Sequence, residues 1–226
     1  GSSGSFTVSL IKALYEFKKK KISSEKLAQL ACKIEIDILN EPIGKQDQYI
    51  AAYGGLKEFT FRKNGSVEVR NLKIKNLEKL EKNLLIFFTG YTRNASSILS
   101  TQNKKTKCFD KDMIRNLDEI KEMGIFSKSA LLRGNFIEYG NILNEHWKLK
   151  KKRSNLMSNK KINYLYDYAI RNGAIGGKLI GAGGGGFLMF YSNNKKKLEK
   201  SFLSKGILKM NYKFDMRGTE ILYSNS

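Results

Sequence analysis

Two carboxylates, Glu35 and Asp47, stand on either side of a break in the chain, and they are the residues best placed for chemistry. Glu35 lies near the end of an apolar-periodic helix, Asn40, Pro42 and Gly44 interrupt that helix, and Asp47 opens a second, shorter helical segment. Two acids flanking a glycine turn can meet in one cleft, one holding a cation and the other orienting or removing a proton. Both also have an ordinary reading, Glu35 as a solvated residue pointing off the apolar stripe and Asp47 as a helix N-cap. Ala51-Ala52-Tyr53-Gly54-Gly55 follows, and its small side chains let another surface come close.

Two glycine-rich stretches supply the other half of such a site. Gly1-Ser2-Ser3-Gly4-Ser5 precedes Phe6, Leu10, Leu14 and Phe17, which recur at helical spacing. Read as a loop feeding a helix N-terminus, it offers open backbone N–H groups at the positive end of the dipole, a cradle for phosphate. Read plainly, it is an artificial Gly/Ser leader. The second stretch, Gly173 to Tyr191, holds Gly181 to Gly186 between the strand-like, apolar Lys178-Leu179-Ile180 and Phe187-Leu188-Met189-Phe190-Tyr191. A flexible linker would be polar on both sides, so this is a tight loop inside a core. Arg93 follows a buried strand and is able to clamp a phosphate or sugar oxygen, although a surface arginine has the same sequence signature. His146, the one histidine, adjoins Trp147 and reads as a packed residue.

The elements that must position these residues follow from periodicity. Ser23 or Ser24 caps a helix whose apolar face is Leu27, Leu30, Ala31, Ile34 and Ile38. Lys57 to Arg62 and Val67 to Arg70 form a hairpin through Asn64-Gly65, a type I′ signal. Asn71 to Asn83 is a polar crossover, and Leu84 to Thr89 a buried strand. Helices are expected over 111–123, 128–152, 159–172 and 196–203, with closing strands over 207–214 and 220–223. The fold class is α+β in two parts: residues 1–75 are the remainder of an N-terminal lobe and residues 76–226 a C-terminal lobe, helices over a mostly antiparallel sheet.

Composition narrows the function classes. The 226 residues, 41% hydrophobic and 28% charged, suffice for a packed core. No apolar run reaches spanning length and no signal segment opens the chain, so no membrane is expected and the cytoplasm is the default location. Cys32 and Cys108 lack metal or redox spacing and are expected as reduced, buried hydrophobes. The net charge of +21 invites a polyanion-binding reading. Against it, lysine dominates over arginine and the runs 18–21, 150–153 and 195–197 fall at helix ends, so nucleic acid is not the expected partner.

The serine-glycine opening, the Glu35/Asp47 pair and Lys178 to Phe187 resemble, in this order, the GHMP small-molecule kinase family. Within that family, Gly44 to Tyr49, Phe88-Thr89-Gly90 with Arg93 and Ser96, Glu145-His146-Trp147 and Lys178 to Phe187 look like the branch of bacterial D-glycero-D-manno-heptose 7-phosphate kinases. The resemblance runs from residue 1 to about Tyr223 and implies a ferredoxin-like C-terminal lobe. It implies ATP as phosphoryl donor, held by Gly1, Ser2, Ser3, Gly4, Ser5, Gly181, Gly183 and Gly184. It also implies Mg²⁺ on Ser3 and Glu35, Asp47 as the residue that handles the sugar hydroxyl, and Lys178 and Arg93 toward the sugar phosphate. The family's strands ahead of the phosphate loop have no counterpart here, so the expectation is a truncated chain with impaired activity alone. The alternatives are a fucokinase- or galactokinase-like enzyme, or a non-catalytic basic domain that binds polyanions.

Overall fold

The computed structural model describes residues 1–90 and 95–223, which form two units. The first holds Gly1–Lys73 together with Phe214–Ser226, and the second is Ile74–Lys213. The last residues, expected with the C-terminal lobe, therefore belong to the first unit.

In the first unit, α1 (Ser2–Phe17), α2 (Ser24–Cys32) and α3 (Gln46–Tyr53) pack together beside a hairpin of β1 (Lys57–Phe61) and β2 (Val67–Asn71). Val8, Leu27, Ala28, Ala31, Tyr49 and Ala52 form the core, with Phe59, Val67 and Val69 of the hairpin against it. The helical spacing of Phe6, Leu10, Leu14 and Phe17 is real, but those side chains are exposed, and α1 buries Gly4, Val8 and Ile11 instead. Gly4 explains the choice, because a Cβ there would stand 3.3 Å from the Asp47 backbone. Only the small-residue face lets α1 approach α3 this closely.

Ser23 caps α2 by accepting from the Lys26 N–H at 3.2 Å. The helix then widens into a π-helical turn, Lys33–Ile38, closed by Leu39 N–H on the Ile34 carbonyl at 2.9 Å. Leu27, Ala31 and Glu35 share one face, so Glu35 is 3% exposed, which excludes its ordinary reading as a solvated residue, while Ile38 lies outside. Asn40, with φ of 55°, breaks the chain. The hairpin turn is not type I′, since Gly65 has positive φ and Asn64 does not. Its Asn64 side chain instead accepts from the Ser66 N–H, giving a longer turn that ends in a left-handed glycine.

The surface that approaches Gly54-Gly55 is the chain's own tail. A Cβ on Gly54 (φ 61°) would lie 2.0 Å from the Gly218 nitrogen. Gly55 N–H donates to the Asp215 carbonyl, and Thr219 donates from both N–H and hydroxyl to Ala51. This segment is not the strand expected over 220–223; it is fastened to the end of α3.

The second unit carries a three-stranded antiparallel sheet in the order β3 (Leu84–Phe88), β5 (Phe187–Tyr191), β4 (Gly176–Leu179). The strand expected over 207–214 is reduced to one antiparallel bridge, Lys209 to Phe87, beside β3. With that bridge as its edge, the sheet follows the ferredoxin-like order. Helices α4 (Leu77–Asn83), α5 (Ala95–Lys107), α6 (Lys111–Leu132), α7 (Phe136–Lys152), α8 (Lys160–Arg171) and α9 (Lys195–Leu203) complete the unit. The crossover over 71–83 contains α4, and α6 runs through Gly124 to stop before Gly134, whose φ is 70°. Trp147, Phe87, Leu188, Phe190 and Phe202 are fully buried at its centre, with Phe87 and Phe202 stacked 4.0 Å apart. Cys32 is buried as expected, whereas Cys108 is exposed.

Candidate active site

Residues 2–5 form the first turn of α1, not a loop. The Ser5 N–H already bonds the Gly1 carbonyl at 3.0 Å, so the open N–H groups are those ahead of it, at the positive end of a 16-residue helix. Asp47 meets this end. Its Oδ2 lies 3.3 Å from the Gly1 nitrogen, and its side chain is 55% exposed. Gly1 and Gly4 both leave room for Asp47 that a Cβ would crowd.

The next residue, Gln48, is fully buried and turns the other way, donating from Nε2 to Glu35 Oε2 at 2.5 Å. Adjacent residues at the start of α3 thereby fix both acids: Asp47 faces the α1 terminus and Gln48 holds Glu35. Gln48 Oε1 is buried without a hydrogen-bond partner beside that carboxylate. A buried carboxylate with an unsatisfied amide oxygen next to it is a set of hard oxygen donors that fits Mg²⁺. Ser3, the other expected metal ligand, lies exposed in the first turn of α1.

The second unit contains the other glycine centre. Between β4 and β5, Gly181, Gly183, Gly184 and Gly186 all adopt positive φ. The Gly184 N–H is tied to the Met157 carbonyl at 2.9 Å, and a Cβ on Gly183 would collide with Met157. Nothing lies within 4 Å of a Cβ position on Gly181, which leaves its backbone open to a ligand. Lys178 sits within β4, half-buried. Arg93 lies outside the described residues.

Three side chains that sequence reasoning set aside cluster with Lys178. His146 and Lys150 recur along one face of α7, Arg153 stands at its C-cap, and Lys150 is 8% exposed. Lys150 Nζ donates to the Gly181 carbonyl at 2.5 Å and to the Leu179 carbonyl at 3.3 Å, fastening the start of the glycine loop. Burial, then the fields of Lys178 and Arg153, push Lys150 down to about 7. Burial likewise lowers Lys178 and Arg153. Their only signal in the sequence was the lysine run over 150–153, which reads as solvated charge; its spacing from His146 was the informative part.

His146 is held down to about 3 by burial, reinforced by Lys178, Lys150 and Arg153. The unfolded chain binds a proton there between the ordinary 6.5 and that value, so stability falls as pH drops through this window. From neutral pH to about pH 4.5 the loss should be roughly 2 kcal/mol. His146→Gln should flatten this part of the acid branch, as read from melting temperatures at both pH values.

The N-terminal domain model of the GHMP kinases matches residues 1–55, and the GHMP kinase C-terminal model matches residues 127–205. The D-glycero-alpha-D-manno-heptose 7-phosphate kinase of Campylobacter jejuni is 37% identical over 185 residues, covering 81% of this chain and 54% of that protein. The chain thus spans about half the length of this curated relative. A crystal structure of a D-glycero-D-manno-heptose 1-phosphate kinase from Bacteroides thetaiotaomicron matches with a TM-score of 0.73 at 28% identity, over 98% of this chain and 63% of that one. Galactokinase of Lactococcus lactis, solved with galactose, shares the fold at a TM-score of 0.72 and 17% identity, over 97% of this chain and 66% of that one. Matched by both domain models in their order along the sequence, the chain belongs to the GHMP kinase family.

Proposed function

We propose that this chain carries the acid pair and acceptor-side parts of an ATP-dependent sugar kinase that phosphorylates the anomeric hydroxyl of D-glycero-D-manno-heptose 7-phosphate. The observation that supports it most is the junction of α1 with α3, where Asp47 faces the open helix terminus while Gln48 fixes Glu35. The N–H groups of Ser2, Ser3 and Gly4 would receive nucleotide phosphate oxygens, with Gly1 and Ser5 shaping the turn. Gly181, Gly183 and Gly184 would contribute further nucleotide contacts through bare backbone. Glu35, with Ser3 as the expected second oxygen, would hold Mg²⁺, which when bound neutralises phosphate charge. Asp47, exposed and unburdened by neighbouring side chains, would accept a hydrogen bond from the sugar hydroxyl and aim it at the γ-phosphorus. Lys178 and Arg93 would face the acceptor.

The 37% identical relative, whose name specifies heptose 7-phosphate, supports this choice of substrate. A bifunctional fucokinase/GDP-fucose pyrophosphorylase of Arabidopsis thaliana, 27% identical over 189 residues, makes L-fucose the competing acceptor. The test is ADP release with heptose 7-phosphate, L-fucose and D-galactose. It should be run on the chain alone and on the chain joined to the part of the Campylobacter relative that it does not span. Highest kcat/KM for the heptose phosphate is expected, with little turnover by the chain alone. Preference for fucose or galactose would overturn the substrate, and no turnover in the completed protein would overturn the kinase reading.

A further inference from the structure

We propose that His146, Lys150, Arg153 and Lys178 form a binding site for the phosphate monoester of the acceptor, built wholly within the second unit. That the ligand is the acceptor rests on the kinase reading; that it is a phosphate rests on the cluster itself.

The cluster is assembled by two elements. His146 and Lys150 lie on one face of α7 with Arg153 next at its C-cap, and Lys178 stands in β4, the strand against which α7 packs. The packing is close because Gly140 and Gly176 face each other: a Cβ on Gly176 would lie 2.0 Å from the Gly140 carbonyl. Each cation lies within the field of another, since Lys150 feels Lys178 and Arg153, and Lys178 feels Arg153.

No carboxylate among the described residues pairs with any of the three cations. Other cations of this unit do find partners, as Arg133 does with Glu138 and Lys148 with Glu145. Like charges brought together away from water are costly unless something neutralises them. The donors are also disposed toward a ligand. Arg153 is anchored through Nε to Asn116 Oδ1 at 3.0 Å, and Asn116 is itself fixed by donating to the Leu149 carbonyl. Among the described residues, this leaves the terminal nitrogens of the guanidinium, the ammonium of Lys178 and one donor of Lys150 without acceptors. His146 Nδ1 is buried with no hydrogen-bond partner.

Arg153 and Asn116 also line a cavity of about 430 Å³ with Lys105 and Lys152 in its wall. Of the acids in that wall, Asp110 is occupied in capping α6 at Met113 and Glu119 in pairing with Arg115, while Asp112 makes no ion pair. A phosphate monoester carries close to two negative charges at neutral pH and several acceptor oxygens, which suits three cations and a neutral imidazole better than a single carboxylate would.

The sole histidine makes the test direct. Imidazole ¹⁵N resonances of the labelled 226-residue chain are followed at physiological salt during titration with inorganic phosphate, D-mannose 6-phosphate or ATP. Saturable shifts with phosphate and mannose 6-phosphate, undisplaced by ATP, are expected. Arg153→Met and Lys178→Met should each weaken binding about tenfold or more, while the solvated pair Lys196→Met with Lys200→Met should not. Circular dichroism and melting temperature establish that each variant is folded, and the wild-type titration stands without them. Absence of a saturable shift, equal weakening by the surface pair, or a response to ATP alone would overturn the proposal. Loss of this binding with sugar phosphorylation intact sinks the phosphate site only, whereas intact binding without any phosphorylation sinks only the kinase reading.

Discussion

Asp47→Asn should lower kcat for the sugar phosphate about a thousandfold in the completed kinase while leaving KM nearly unchanged. Asparagine keeps the shape that fits beneath Gly1 and Gly4, so α1 retains its seat on α3. What it loses is the negative charge that, in the proposed reaction, would orient the attacking hydroxyl and accept its proton. A residue that matters only as the reaction proceeds shows its removal in kcat, whereas one that merely binds substrate shows it in KM. Asp47 is the acid suited to this role because it is exposed, whereas Glu35 is buried and held by Gln48. Steady-state kinetics decide the matter, and a loss of less than tenfold would mean that Asp47 is only a helix-terminus residue.

Gly176→Val should destabilise the second unit by about 3–5 kcal/mol, enough to unfold much of the protein at ordinary temperature. The reason is geometric, for the new side chain would meet the backbone of α7 at Gly140, and backbone cannot swing aside as a flexible side chain can. Its neighbour Gly177 is equally confined, against the Met189 carbonyl and the Phe190 ring. Gly124→Ala is the counterpart: it lies inside α6 with nothing within 4 Å of the added methyl, and should stabilise by about 0.5–1 kcal/mol. Chemical denaturation of both variants measures the contrast, and a Gly176→Val protein of native stability would refute the close-packing account.

Much of this architecture was legible in the residues because local signals agreed with tertiary packing. The helix after Ser23, the hairpin strands, the apolar strand at Leu84 and the strands around Gly181–Gly186 all stand where periodicity and turn residues put them. Errors arose where two faces of a helix competed. On α1 the spacing of the bulky residues marked the helix but not its buried face, which is glycine and valine because closeness to α3 outweighed side-chain size. At Glu35, periodicity was read from Ile34, whereas the buried face continued from Leu27 through Ala31. Lys150 illustrates the opposite limit: sequence shows a lysine among lysines, and only the path of β4 reveals which of them is enclosed. The tail over 214–223 has weak strand character, and nothing in its composition says that it will hydrogen-bond to Ala51 and Gly55.

The Gly54–Gly218 interlock sets an order of events during synthesis. The interior unit is one continuous stretch and is able to complete its sheet and helices soon after it leaves the ribosome. The first unit begins before it yet lacks its closing segment until residues 214–223, which follow the interior unit, are made. The acid-bearing part of the molecule is therefore begun before the interior unit and closed only after it.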